Sequence, residues 1–190
     1  NTVGGLQITT TATSNIGLGS GAVDSITTGD YNVGVGDNAL TATTSGSRNT
    51  AIGYTTLQGN TTGDQNTANG REALYTNSTG SNNTAIGYQS LIFNTTASSN
   101  TGVGHSSLRT NTTGNSNTAT GIYAMYRNTT GSNNTAVGKS ALEANTTANS
   151  NTAVGYHSLY ANTTGAENTA VGAEAGDAIT TGAENVALGY

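Results

Sequence analysis

The chain has 190 residues with one Met, one Phe and no Trp, Cys or Pro; only 8% of it is charged, and the formal net charge is −5. This leaves no basic footprint for nucleic acid or an anionic membrane surface, no thiol or disulfide chemistry, and no apolar run near the roughly 20 residues of a bilayer span, so no membrane insertion. A hydrophobic share of 33% is too thin for one deep core. It suffices for a narrow core to which each of many stacked units adds two or three side chains.

Residues 1–14 read as a degenerate opening coil, with Leu6 and Thr9-Thr10-Thr11 faintly in phase with the later repeats. From Asn15 the phase is strict. Asn recurs every seventeen residues to Asn185, and a Gly comes four residues after each, from Gly19 to Gly189. Residues 15–190 are therefore an array of one short unit. Its consensus is Asn-Thr-Ala-Val-Gly-Tyr-x-Ser/Ala-Leu-x-x-Asn-Thr-Thr-Gly-x-x, nearly unaltered over 151–167. The chain starts with Asn and stops five positions into a new unit, which reads as an excerpt of a longer protein.

Twenty-seven Gly, the many Thr and Asn, and β-branched residues in the fourth slot oppose helix. Seventeen residues are also too few for two packed helices, whereas a strand needs three to six. The unit predicts two short strands and two bends, with Asn-Thr-Thr-Gly supplying turn and positive-φ residues. The fold class is all-β, a parallel β-solenoid of about eleven 17-residue coils. With about 4.8 Å per coil the stack is roughly 50 Å long, and Asn and Thr columns form hydrogen-bonded ladders along it.

Two columns are expected to form the core: the fourth slot, including Val35, Ile52, Val137 and Val154, and the ninth, including Leu40, Leu57, Met125 and Leu142. Strand alternation then turns the third slot outward, and that slot is always Gly or Ala, from Gly17 to Ala187. Strict smallness there fits either a tight cross-section or a self-association face along which three chains meet. Association is a usual remedy for so thin a core.

Asn-Thr-Ala-Ile-Gly at Asn49 and Asn83, and Asn-Thr-Ala-Val-Gly at Asn134, Asn151 and Asn168, resemble the head repeats of trimeric autotransporter adhesins. The Thr-Ala-Val-Gly-x-x-Ala-Leu units are also similar to repetitive shafts of phage tail fibres. The resemblance spans residues 15–190. It implies a left-handed parallel β-roll, a homotrimer, an extracellular, cell-surface or virion location, and no catalytic residues. The unit departs from the adhesin heads in its greater length and its regular Asn-Thr-Thr-Gly tetrad; the extra residues enlarge one bend or add a third short face.

Asn69 and Thr120 stand in the expected core column, where a polar group must find a partner, either in its ladder or in a bound ion or water. Asp24 to Gly29 and Asp177 to Gly182 match each other near the two ends, each with Ile in place of the tetrad Asn. They mark boundary coils or a larger super-repeat.

No nucleophile is paired with a base in any repeated position. His105 and His157 fall in variable slots expected to face solvent, and Asp30, Asp37 and Asp64 do not fit a calcium-binding nonapeptide pattern. No enzyme, metal or cofactor is expected. Tyr54, Tyr88, Tyr156 and Tyr190 share the sixth slot, and Tyr75, Tyr126 and Tyr160 the tenth, giving two ring stripes that either cover the bend or contact a glycan or protein receptor. Asn60, Asn77, Asn94, Asn111, Asn128, Asn145 and Asn162 each open an Asn-x-Thr pattern in one slot, and Asn82 and Asn133 open two more, so glycosylation enters as a candidate beside plain ladder chemistry. The Thr column from Thr50 to Thr169 raises ice binding, against which the tetrad reads as a bend rather than a flat face. The expected function is a non-enzymatic fibre shaft or head for extracellular attachment; the alternative is a monomeric ice- or glycan-binding solenoid.

Overall fold

In the computed structural model, which describes residues 2–3, 6–7 and 14–189, each coil contributes one strand of three residues to a single sheet. After β1 (Thr2–Val3) and β2 (Leu6–Gln7), eleven such strands run from β3 (Ile16–Leu18) to β13 (Val186–Leu188) in sequence order. β3 to β13 are parallel and pair with a constant offset of seventeen, as in Thr135↔Thr152, Ala136↔Ala153 and Val137↔Val154. A fixed repeat length is what keeps like residues in register, so the period and the fold are one fact. The protein is a parallel β-solenoid of tandem repeats. Over the expected opening coil the described strands run antiparallel, β1 to β2 and β2 to β3, with Leu6 opposite Leu18; Thr9 to Thr11 lie outside the described residues.

The second strand expected in each unit does not form. Slots six to eleven are a run of turns, yet their backbone still bonds from coil to coil: the Leu57 N–H donates to the Ala73 carbonyl at 3.0 Å, and the Thr44 N–H to the Thr61 carbonyl at 2.9 Å in the tetrad. The turn is made by left-handed residues at slots seven and nine, such as Thr55 (φ 52°) and Leu57 (φ 51°), and the coil closes through slot seventeen, such as Gln65 (φ 57°). The slot-five glycine has two reasons to be glycine. Gly104 has a φ of 128°, and a Cβ on it would lie 2.7 Å from the Gly121 carbonyl oxygen of the next coil.

The core corrects the expected strand parity. The third slot is inside: Ala51, Ala68, Ala85, Ala119, Ala136, Ala153 and Ala170 are fully buried, together with the slot-nine residues Leu40 to Leu159. The fourth slot is outside, with Ile52 40%, Ile86 42%, Val137 38% and Val171 43% exposed. Volume, not hydrophobicity, decided the parity. The slot-nine side chain reaches across the narrow section, so a Cβ added to Gly17 would lie 2.4 Å from Val23 Cγ2, and one added to Gly102 would lie 2.6 Å from Ser90 Oγ and 3.4 Å from Leu91 Cδ1. The small-residue column is the mark of a tight cross-section and lies in the interior, not on an association face. Asn69 and Thr120 are consequently exposed and place no polar group in the core.

Two buried Asn columns complete the interior. Along the first, each backbone N–H donates to Oδ1 of the preceding coil's Asn, as Asn49 does to Asn32 at 2.9 Å, while its Nδ2 donates to a carbonyl fourteen residues on, here Gly63 at 2.8 Å. Along the second, Asn77 Nδ2 donates to Asn60 Oδ1 and to the Gly80 carbonyl, both at 2.9 Å. The tetrad Thr hydroxyls bond across coils too, to the next coil's backbone carbonyl, as Thr61 does to Ser78 at 2.9 Å. Ile26, separated from Asn60 by Thr43 in the same slot, and the partly buried Ile179, next after Asn162, replace Asn beyond the ends of the second column and pack with the apolar core. These are the two boundary variants seen in the sequence.

Candidate functional surfaces

Two long surfaces remain for function, and the strand and the turn run create one each. On the strand face, slots two and four point outward on either side of the buried third slot, so Thr50 and Ile52, Thr84 and Ile86, or Thr135 and Val137 stand side by side. Coil after coil these residues form two in-register columns, one mostly Thr and one mostly aliphatic. Neither column contains a charged residue.

The turn run forms the second surface, and it brings the two predicted Tyr stripes together. Tyr54, Tyr75, Tyr88, Tyr156 and Tyr160 are exposed and Tyr126 is half-buried; Tyr190 lies outside the described residues. His105 is exposed, as its slot suggested, and its ring centroid is 5.2 Å from Tyr88 and 5.4 Å from Tyr123. His157 is stacked between Tyr156 at 3.9 Å and Tyr160 at 4.5 Å. Cations complete the surface: Arg71 lies over both Tyr54 and Tyr88, Arg109 over Phe93 and Tyr126, and Lys139 over Tyr156.

Within it a polar chain links three coils. Glu72 Oε1 accepts from Arg71 Nε at 3.0 Å and pairs with Nη2 at 2.9 Å; its Oε2 accepts from Gln89 Nε2 at 2.7 Å. Arg109 Nε then reaches Gln89 Oε1 at 3.4 Å. The Gln89 hydrogen bond first, then the hydrogen bond and charge of Arg71, hold the Glu72 carboxyl below its ordinary range, and the Glu72 hydrogen bond raises Arg71. A cleft of about 340 Å³ opens beside this chain, lined among others by Tyr54, Arg71, Glu72, Tyr75 and Phe93. Sequence reading aligned the Tyr slots but missed Arg71, which interrupts the sixth-slot Tyr stripe between Tyr54 and Tyr88, and Glu72 and Phe93, which stand in slots that carry no period.

The seven tetrad asparagines from Asn60 to Asn162 are not displayed. All are fully buried, and the Asn ladder bonds occupy their amide nitrogens. A folded coil therefore offers no glycosylation acceptor in that slot, while Asn82 and Asn133 are exposed in slot seventeen. Asp37 and Asp64 also have a structural use: their Oδ1 atoms accept the Ser20 and Ser47 backbone N–H groups of the preceding coil at 2.9 and 2.7 Å. Among the described residues no three His, Asp or Glu side chains gather as a metal site.

No family model, curated protein or solved structure matches the chain.

Proposed function

We propose that this chain is a non-enzymatic structural element of an extracellular attachment fibre, an adhesin or tail-fibre shaft at a cell surface or on a virion, whose identical chains associate through the strand face. The observation that supports this best is the aliphatic column of Ile52, Ile86, Val103, Val137, Val154 and Val171, broken only at Asn69 and Thr120, which stays in contact with water in a single chain. An apolar stripe along roughly 50 Å of solenoid is unusual for a surface that works bare. A second copy suits it, because the face is uncharged and repeats the same residues in register from coil to coil in every chain. Three chains around one axis would cover all three faces by closed symmetry. The resemblance of the Asn-Thr-Ala-Val-Gly units to adhesin heads and tail-fibre shafts leads to the same reading.

Sedimentation equilibrium tests it: a mass of three chains is expected, falling to one chain when Ile86 and Val137 are both replaced by Lys. A wild-type mass of one chain would remove the association reading. A second reading is favoured by one observation, the outward Thr column of slot two standing beside the aliphatic column on one continuous sheet. Such a two-column array, left bare on a monomer, suits an ice lattice. A single-chain mass together with measurable thermal hysteresis would establish it in place of the fibre.

A further inference from the structure

We propose that the cleft between Tyr54 and Phe93 binds a neutral hexose unit of a cell-surface glycan. This gives the attachment reading its ligand class and rests on that reading only for its biological setting. The cleft's volume of about 340 Å³ is in the range of small-ligand sites, which begin near 300 Å³. Its walls are rings with no packing duty in the core: Tyr54 is 51% exposed, Tyr75 38% and Phe93 37%. An exposed ring offers an apolar face to the C–H face of a sugar, and Tyr adds a hydroxyl. Buried Thr55 and Ile92 close the lining.

The polar groups are what a polyol needs. Arg71 and Glu72 pair with each other, so the lining carries donors and acceptors with its two charges matched; Arg109 lies over Phe93 but is not part of the lining. Of the roughly four lone-pair positions on a carboxylate, Arg71 and Gln89 use three, and guanidinium N–H groups of Arg71 remain free for hydroxyls. Both side chains are already held, Arg71 between two rings and Glu72 by Gln89, which lowers the ordering cost of binding. The site binds and does not hydrolyse: glycoside cleavage ordinarily takes two carboxyl groups, and Glu72 is the one carboxylate in the lining. The cluster at Tyr156, His157 and Tyr160 is the natural control, since its rings stack on one another.

The test is affinity electrophoresis of the whole chain in native gels containing laminarin, yeast mannan or galactomannan as neutral probes, and alginate as a charged one. Retardation by at least one neutral probe is expected, weakened tenfold or more in Tyr54→Ala/Phe93→Ala and in Glu72→Gln, and unchanged in Tyr160→Ala. Circular dichroism melting of each variant separates lost binding from lost fold. Retardation by none of the neutral probes, by alginate alone, or equally in all variants would overturn the proposal. Sedimentation of the same samples reads chain association separately, so failure of the glycan site is distinguishable from failure of the fibre reading.

Discussion

Asn117 donates its backbone N–H to the side-chain oxygen of Asn100, seventeen residues earlier, at 2.9 Å, while Asn100 Nδ2 donates to the Gly114 carbonyl at 2.9 Å. One buried side chain thus satisfies the backbone of two neighbouring turns where no strand ladder exists. Asn100→Ala would leave the Asn117 N–H buried without a partner, at about 1–3 kcal/mol, while the Gly114 carbonyl keeps its bond from Asn111 Nδ2 at 2.9 Å. A loss of about 1–3 kcal/mol in chemical denaturation is expected, and a loss below about 0.5 kcal/mol would show that water replaces the amide.

The strand parity has its own test. Val137→Thr substitutes on the outer face, where Thr120 already stands, and should change the stability of a single chain by less than about 1 kcal/mol. Leu142→Thr puts a hydroxyl and a void into a fully buried position and should cost more than about 2 kcal/mol. Equal costs would mean the two columns are wrongly placed.

Crowding at the third slot predicts coupling. Gly102→Ala drives a methyl toward Ser90 Oγ, which itself bonds the Gly102 carbonyl at 3.0 Å and Ser107 Oγ at 2.9 Å. The single substitution should cost about 1–3 kcal/mol by overpacking. Adding Ser90→Ala removes the clashing atom, so the double variant should be more stable than the sum of the singles by about 1 kcal/mol. Strict additivity in thermal melts would contradict the packing described.

Acid titration should detect Glu72. Its carboxyl ionises below its ordinary value of 4.5 in the folded chain, chiefly through Gln89. A depressed folded pKa contributes stability that is present above the unfolded pKa and is lost as pH falls through the lower folded value. Glu72→Gln should therefore reduce melting temperature slightly at neutral pH, with the difference from wild type vanishing below the carboxylate range. The pair is exposed at Arg71, so the effect should stay below about 1 kcal/mol. A difference independent of pH would locate the effect in packing rather than charge.

If the strand face joins identical chains, melting must depend on concentration by mass action. Dilution should lower the wild-type melting temperature by several degrees, and Ile86→Lys/Val137→Lys should melt at one temperature throughout. Calorimetry over a roughly hundredfold dilution series distinguishes the two.

The sequence alone determined the solenoid, its parallel register and the inward Leu column, because a seventeen-residue period without insertions leaves each residue beside its own equivalents. It also determined the Asn ladders and the shared position of the Tyr stripes. It did not determine which side of the three-residue strand is the inside. Alternation offers two parities, and hydrophobicity favours the aliphatic one; only the closed coil shows that left-handed turns at slots seven and nine send Leu57 or Leu142 across the section, leaving room opposite for nothing larger than Ala. The same closure buried the tetrad asparagines and exposed the Val column. The cleft was equally out of reach of the sequence, since Tyr54 and Arg71 share slot six in successive coils while Phe93 stands in slot eleven of the coil after, and their meeting depends on how the turns stack.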